Sequence, residues 1–124
     1  KAEKSLPLDF EGKENVTDLR GEVSLLEFSA LLSEADVIVS NDSSPVHIGS
    51  GFDKPFIIGI FGPGKRCLGF FPWSDRSVVI EDNIFYENNM ENIPERQHEY
   101  RKDYYKEIPS ITVDRVYEEV VRRL

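Results

Sequence analysis

The residues best suited to chemistry stand together in Val37-Ile38-Val39-Ser40-Asn41-Asp42-Ser43-Ser44-Pro45-Val46-His47. A β-branched run delivers a polar turn to a proline, and proline suits the first position of a helix. Ser44 is then the expected N-cap, with a short helix from 45 to about 52. A helix start presents free backbone N–H groups and a partial positive charge, which together can seat a phosphate. Ser43 and Ser44 add hydroxyl donors. An ionised Asp42 only accepts hydrogen bonds, so it suits sugar hydroxyls and not phosphates. His47 is expected in the first turn, where the helix dipole favours a neutral, hydrogen-bonding imidazole. Asn-Asp-Ser-Ser before proline is equally a capping turn that needs no ligand. On pattern alone both readings stay open.

A second loop, Phe61-Gly62-Pro63-Gly64-Lys65-Arg66, follows the next apolar run. Its glycines allow close backbone approach, and Lys65 and Arg66 could neutralise phosphate charge. It is neither a P-loop nor a G-x-G-x-x-G fingerprint. Taken alone, it also reads as a tight turn with solvated cations.

The elements that must position these loops follow from periodicity. Ser24-Leu25-Leu26-Glu27 is a capping box, and Leu25, Phe28, Leu31 and Leu32 repeat at helical spacing, which predicts a helix over about 25–34 ended by Ala35-Asp36. Val37-Ile38-Val39 and Phe56-Ile57-Ile58-Gly59-Ile60-Phe61 read as buried strands, with Val78-Val79-Ile80 as a candidate third. Strand, helix, strand in that order implies a parallel βαβ unit and an α/β sheet. Before this, Asn15 to Leu19 reads as a short strand or an extended approach ended by Gly21. After it, 83–107 is polar and weakly periodic, Pro109 punctuates, and Thr112 is the expected N-cap of a last helix with Val113, Val116, Val120, Val121 and Leu124 as its apolar stripe. Phe70, Phe71 and Trp73 are expected in core or domain-interface packing. His98, the charged run 95–107, and Tyr100, Tyr104 and Tyr105 read as surface.

Composition removes several functions. At 124 residues the chain is one ordinary domain, and its hydrophobic share of 40% is enough for a core without disulfides. Fifteen Lys and Arg against 23 Asp and Glu give a net charge of −8, which disfavours nucleic acid and a polybasic membrane anchor. The lone Cys67 has no disulfide partner in the chain and no zinc-like cluster around it, which fits a reducing cytosol. No apolar run approaches the ~20 residues of a spanning helix. The opening shows neither a start methionine nor a signal peptide, so a piece of a longer protein is expected.

The helix Ser24–Leu32, the run Ala35-Asp36 through Ser40-Asn41-Asp42-Ser43-Ser44-Pro45-Val46-His47, and Lys54-Pro55 through Phe61-Gly62-Pro63 resemble the donor-binding half of glycosyltransferase family 9. These are the heptosyltransferases of lipopolysaccharide assembly. The resemblance covers about 15–63 well, and Thr112–Leu124 more weakly. It implies a Rossmann-like α/β domain, the C-terminal half of a two-domain GT-B enzyme, and makes residues 1–124 a single nucleotide-sugar-binding domain. It further implies an ADP-activated heptose donor, inverting transfer, a lipid-linked glycan acceptor held by the N-terminal half, and neither metal nor cofactor. Asp42 would touch the donor sugar, the Ser43 and Ser44 amides would hold the diphosphate, and His47 would line the same pocket. Val23 would lie near the adenine, with Gly62 and Lys65 on the diphosphate side. The general base would belong to the N-terminal half, so no catalytic residue is assigned in this chain. Two departures stand out: Ser44 replaces the family's usual glycine, and Gly64-Lys65 replace a hydroxyl residue followed by an acid. The expected location is the cytoplasm, at the inner face of the membrane. Two other functions fit the same elements: a non-catalytic nucleotide-binding module, and half of a sugar-nucleotide epimerase.

Overall fold

The computed structural model describes Phe10 and residues 13–61, 70–81 and 111–124. In chain order these form α1 (Leu25–Glu34), β1 (Val37–Asn41), α2 (Ser44–Gly49), β2 (Phe56–Phe61), β3 (Ser77–Glu81) and α3 (Val113–Val121). The strands make one parallel sheet in the order β1-β2-β3. This is the expected Rossmann-like α/β arrangement, with α2 as the crossover of the β1-α2-β2 unit.

Each element follows from its sequence. Ser24 Oγ accepts from the Glu27 N–H at 3.3 Å, and the Ser24 N–H donates to Glu27 Oε2 at 2.7 Å, so the capping box closes at the start of α1. Ala35 ends the helix in an extended conformation and leads straight into β1. β2 is apolar throughout because it is the central strand, with both edges paired and both faces covered.

One face of the sheet holds the main core. Ile38, Ile57 and Phe61 meet Leu32 of α1 and Val46 of α2, with Phe28, Ala35, Ile48, Phe52 and Val79 packed around them. Register puts Ser40, Gly59 and Val79 in one row of this face. The Phe61 ring folds back over Gly59, where an added Cβ would come within 2.5 Å of Phe61 Cε2 and 3.5 Å of Pro72 Cγ. On the opposite face Ile58 and Ile80 are fully buried, and α3 packs onto β2. The Arg123 guanidinium lies 4.2 Å from the centre of the Phe56 ring, and Arg115 Nη1 donates to the Glu81 carbonyl at 3.1 Å. Lys54, in the turn after α2, donates to the Glu34 carbonyl at the end of α1 and lies 3.7 Å from Asp36. It thereby ties the end of the crossover to the segment that enters β1.

Several expectations change. Residues 15–19 form no strand; the segment is irregular, with a left-handed residue at Asn15 and another at Gly21 just beyond it. α2 starts one residue early and ends at Gly49, so Ser43 and not Ser44 is its N-cap, and Pro45 is its second residue. In α3, Thr112 caps as expected, but only Val116 and Val120 of the stripe are half-buried. Val113, Val121 and Leu124 are exposed because the helix meets the sheet along one narrow line at β2. Trp73 is 79% exposed and therefore not core, with Phe70 and Phe71 less exposed beside it. Residues 82–110, with His98, the three tyrosines and Pro109, and Cys67 lie outside the described residues.

Two outcomes follow from this packing. Phe61 is fully buried and cannot swing away, so Gly59→Ala should cost about 1–3 kcal/mol, read as a lower urea midpoint with an unchanged slope. The second concerns pH. The Ser24 side chain, and after it the Ser24 backbone N–H, hold the Glu27 carboxyl below its ordinary value of 4.5. A carboxyl lowered by folding contributes stability that is present above the ordinary value and lost as pH falls through the lowered one. Glu27→Gln keeps the capping geometry and removes the charge. The stability gap between wild type and Glu27→Gln should therefore be present at neutral pH and close in acid. A gap of constant size in urea unfolding across that range would contradict this origin.

Candidate functional site

The site lies where β1 hands over to α2. β1 ends at Asn41, Asp42 and Ser43 make the turn, and α2 begins at Ser44. This is the carboxyl end of a parallel strand, where open α/β sheets bind ligands. The turn is forced: a parallel neighbour requires the chain to reverse and return to the amino end of β2.

Asp42 and His47 are brought together across the turn. His47 Nε2 lies 3.8 Å from Asp42 Oδ1, with the Asp42 side chain 16% exposed and the imidazole 45% exposed. At that distance the contact is electrostatic and not a hydrogen bond. With Ser43 as N-cap, His47 is the fourth residue of a six-residue helix and stands in its last turn. The sequence placed it in the first turn; here it stands away from the positive end of the helix dipole.

Ser43 and Ser44 are adjacent to this pair. The Ser43 hydroxyl does not cap α2. It lies 3.0 Å from Ser40 Oγ and donates to Asn41 Oδ1 at 2.9 Å. Ser44 opens the helix with an exposed side chain. Val23 belongs to a different element: it is half-buried immediately before the α1 N-cap, and α1 packs on α2. Gly62 and Lys65, with the rest of the second loop, lie outside the described residues.

Sequence reasoning left out Ser40 and Asn41, and a signal for them was present. Pro45 has no N–H, so a serine two residues ahead of it lacks one of its usual capping donors and is free to bond backward. An open depression of about 620 Å³ lies elsewhere, lined by Phe71–Asp75 and the amino-terminal part of β3. It is at the opposite end of the strands from Asp42. Among the described residues no three His, Cys, Asp or Glu side chains gather as a metal cluster, and no helix is long and apolar enough to cross a membrane.

A parallel α/β sheet with a polar turn at a strand's carboxyl end is the architecture of ligand-binding α/β domains. Residues 5–101 match the family described as glycosyltransferase family 9 (heptosyltransferase), and the chain belongs to that family. It is 29% identical over 90 residues to lipopolysaccharide heptosyltransferase 3 of Escherichia coli, covering 73% of this chain and 24% of that protein. It is also 29% identical over 104 residues to lipooligosaccharide heptosyltransferase 2 of Haemophilus ducreyi, covering 83% of this chain and 28% of that protein. The chain thus spans about a quarter of the length of these curated relatives. No solved structure matches it.

Proposed function

We propose that this chain is the donor-binding part of a glycosyltransferase that moves a heptose from an ADP-activated donor onto a lipid-linked glycan. The observation that carries the reading is the family match over 5–101, which takes in the whole β1-α2-β2 unit and its Asp42–His47 turn. Both heptosyltransferase relatives support the substrate class.

The turn supplies chemistry suited to that role. Asp42 accepts hydrogen bonds from sugar hydroxyls and orients the donor ring. The Ser43 and Ser44 amides at the start of α2 meet the diphosphate, and His47 lies close enough to serve either group. Val23 borders the nucleotide, and Gly62 and Lys65, outside the described residues, are assigned to the diphosphate by the family resemblance alone. In inverting transfer the acceptor oxygen bonds to the anomeric carbon as the bond to the diphosphate breaks, and a base takes the acceptor proton. The base is assigned to the half of the enzyme outside this chain, which stabilises the leaving group and positions the sugar. The work takes place in the cytoplasm, at the inner membrane face where a lipid-linked acceptor is presented.

If Asp42 grips the sugar, Asp42→Ala should weaken ADP-heptose about ten- to a hundred-fold, the value of a charge-assisted hydrogen bond, and leave ADP unchanged or slightly more tightly bound. Calorimetric titration of both ligands on wild type and variant decides it, since equal losses would reduce Asp42 to a structural residue of the turn. Diphosphate binding through amides and side-chain cations should also survive removal of divalent ions. ADP affinity measured with and without a chelator should agree within about two-fold, whereas a ten-fold loss would assign the diphosphate to a metal.

A further inference from the structure

Ser43 stands at the N-cap of α2 and does not cap it. Two local facts explain this. Pro45, the second helical residue, has no N–H to donate. The third residue, Val46, gives its N–H to the Ser43 carbonyl at 3.1 Å. The hydroxyl therefore turns back to the strand, where Ser40 Oγ is 3.0 Å away and Asn41 Oδ1 accepts at 2.9 Å. Ser40 and Asn41 are themselves held by sheet register, opposite Gly59 and Ile60 of the central strand. The position of Ser43, and with it the course of the Asp42 turn, is thus tied to the β1–β2 pairing.

We propose that Ser40 and Asn41 are positioning residues of the donor turn. By binding the Ser43 hydroxyl, which α2 leaves uncapped, they fix the direction in which Asp42 and the first turn of the helix face the ligand. This rests on the donor-turn reading above. Both act through Ser43.

The test has two measurements on the full chain. Amide hydrogen exchange of free protein should show residues 42–47 opening about three- to ten-fold faster in Ser40→Ala and Asn41→Ala, with α1 and β2 unchanged. ADP-heptose affinity should fall by a similar factor, and Ser40→Thr, which keeps the hydroxyl, should restore both values. Unchanged exchange in the turn, faster exchange spread evenly over the chain, or failure of threonine to rescue would each overturn the positioning role. Absence of ADP-heptose binding by the wild type would instead overturn the donor reading, and the exchange measurement still decides whether Ser40 and Asn41 hold the turn.

Discussion

The parallel pairing of β1 with β2 constrains everything near the candidate site. Parallel neighbours need a crossover, and here residues 42–55 must leave the carboxyl end of β1, form α2 and return to the amino end of β2. That is near the short limit for such a connection. The chain has no slack for a long ligand loop, so the turn that reverses the backbone is also the turn that presents Asp42. Val46 and Gly49 of α2 are buried against the sheet, and an added Cβ at Gly49 would lie 2.6 Å from Ile38 Cδ1. Lys54 closes the crossover against the end of α1. Packing below and the clasp behind leave Ser44 and His47 as the exposed positions of α2, with Asp42 and Ser43 half-buried just before them.

What was legible in the sequence was whatever a single local rule decides. The capping box is a covalent-distance pattern, so Ser24 and Glu27 predicted the start of α1 without tertiary help. The apolar run 56–61 is too continuous for anything but a doubly covered strand, and it became the central one. Errors appeared where two rules competed. Proline is favoured at the first helical residue, which pointed to Ser44 as cap, but helical hydrogen bonding began one residue earlier. The last helix shows how tertiary context overrides pattern. Its apolar residues span a wider face than the narrow contact with β2 covers, so Val116 and Val120 are half-buried while Val113 and Leu124 are exposed. Trp73 follows the same logic. Its backbone N–H is anchored by Ser50 Oγ at 3.0 Å and Pro72 beside it is buried, so the bend directs the indole outward whatever its hydrophobicity.

At the site, residue types were readable and their relations were not. Asp42 and His47 are five positions apart, a separation that places no two side chains together until the helix start is known. Ser40 and Asn41 look like ordinary strand residues. Their link to Ser43 arises where Pro45 withholds a donor and the Val46 N–H is taken by the Ser43 carbonyl, and the proline is the one part of this that the sequence shows.

An anionic turn on a chain of net charge −8 would seem a poor place for an anionic ligand. The difficulty becomes useful when the ligand has two parts. A carboxylate near a diphosphate repels every nucleotide, and bare ADP with its free terminal phosphate most, while only a nucleotide carrying a sugar regains that energy through hydroxyl donors. Discrimination is a difference of affinities, and repulsion toward the competitor serves it as well as attraction toward the substrate. In the proposed donor site, spent ADP meets the Asp42 charge without the compensating hydrogen bonds, and is bound less firmly than the sugar nucleotide that must replace it. On that proposal the carboxylate that orients the sugar also favours release of the leaving nucleotide.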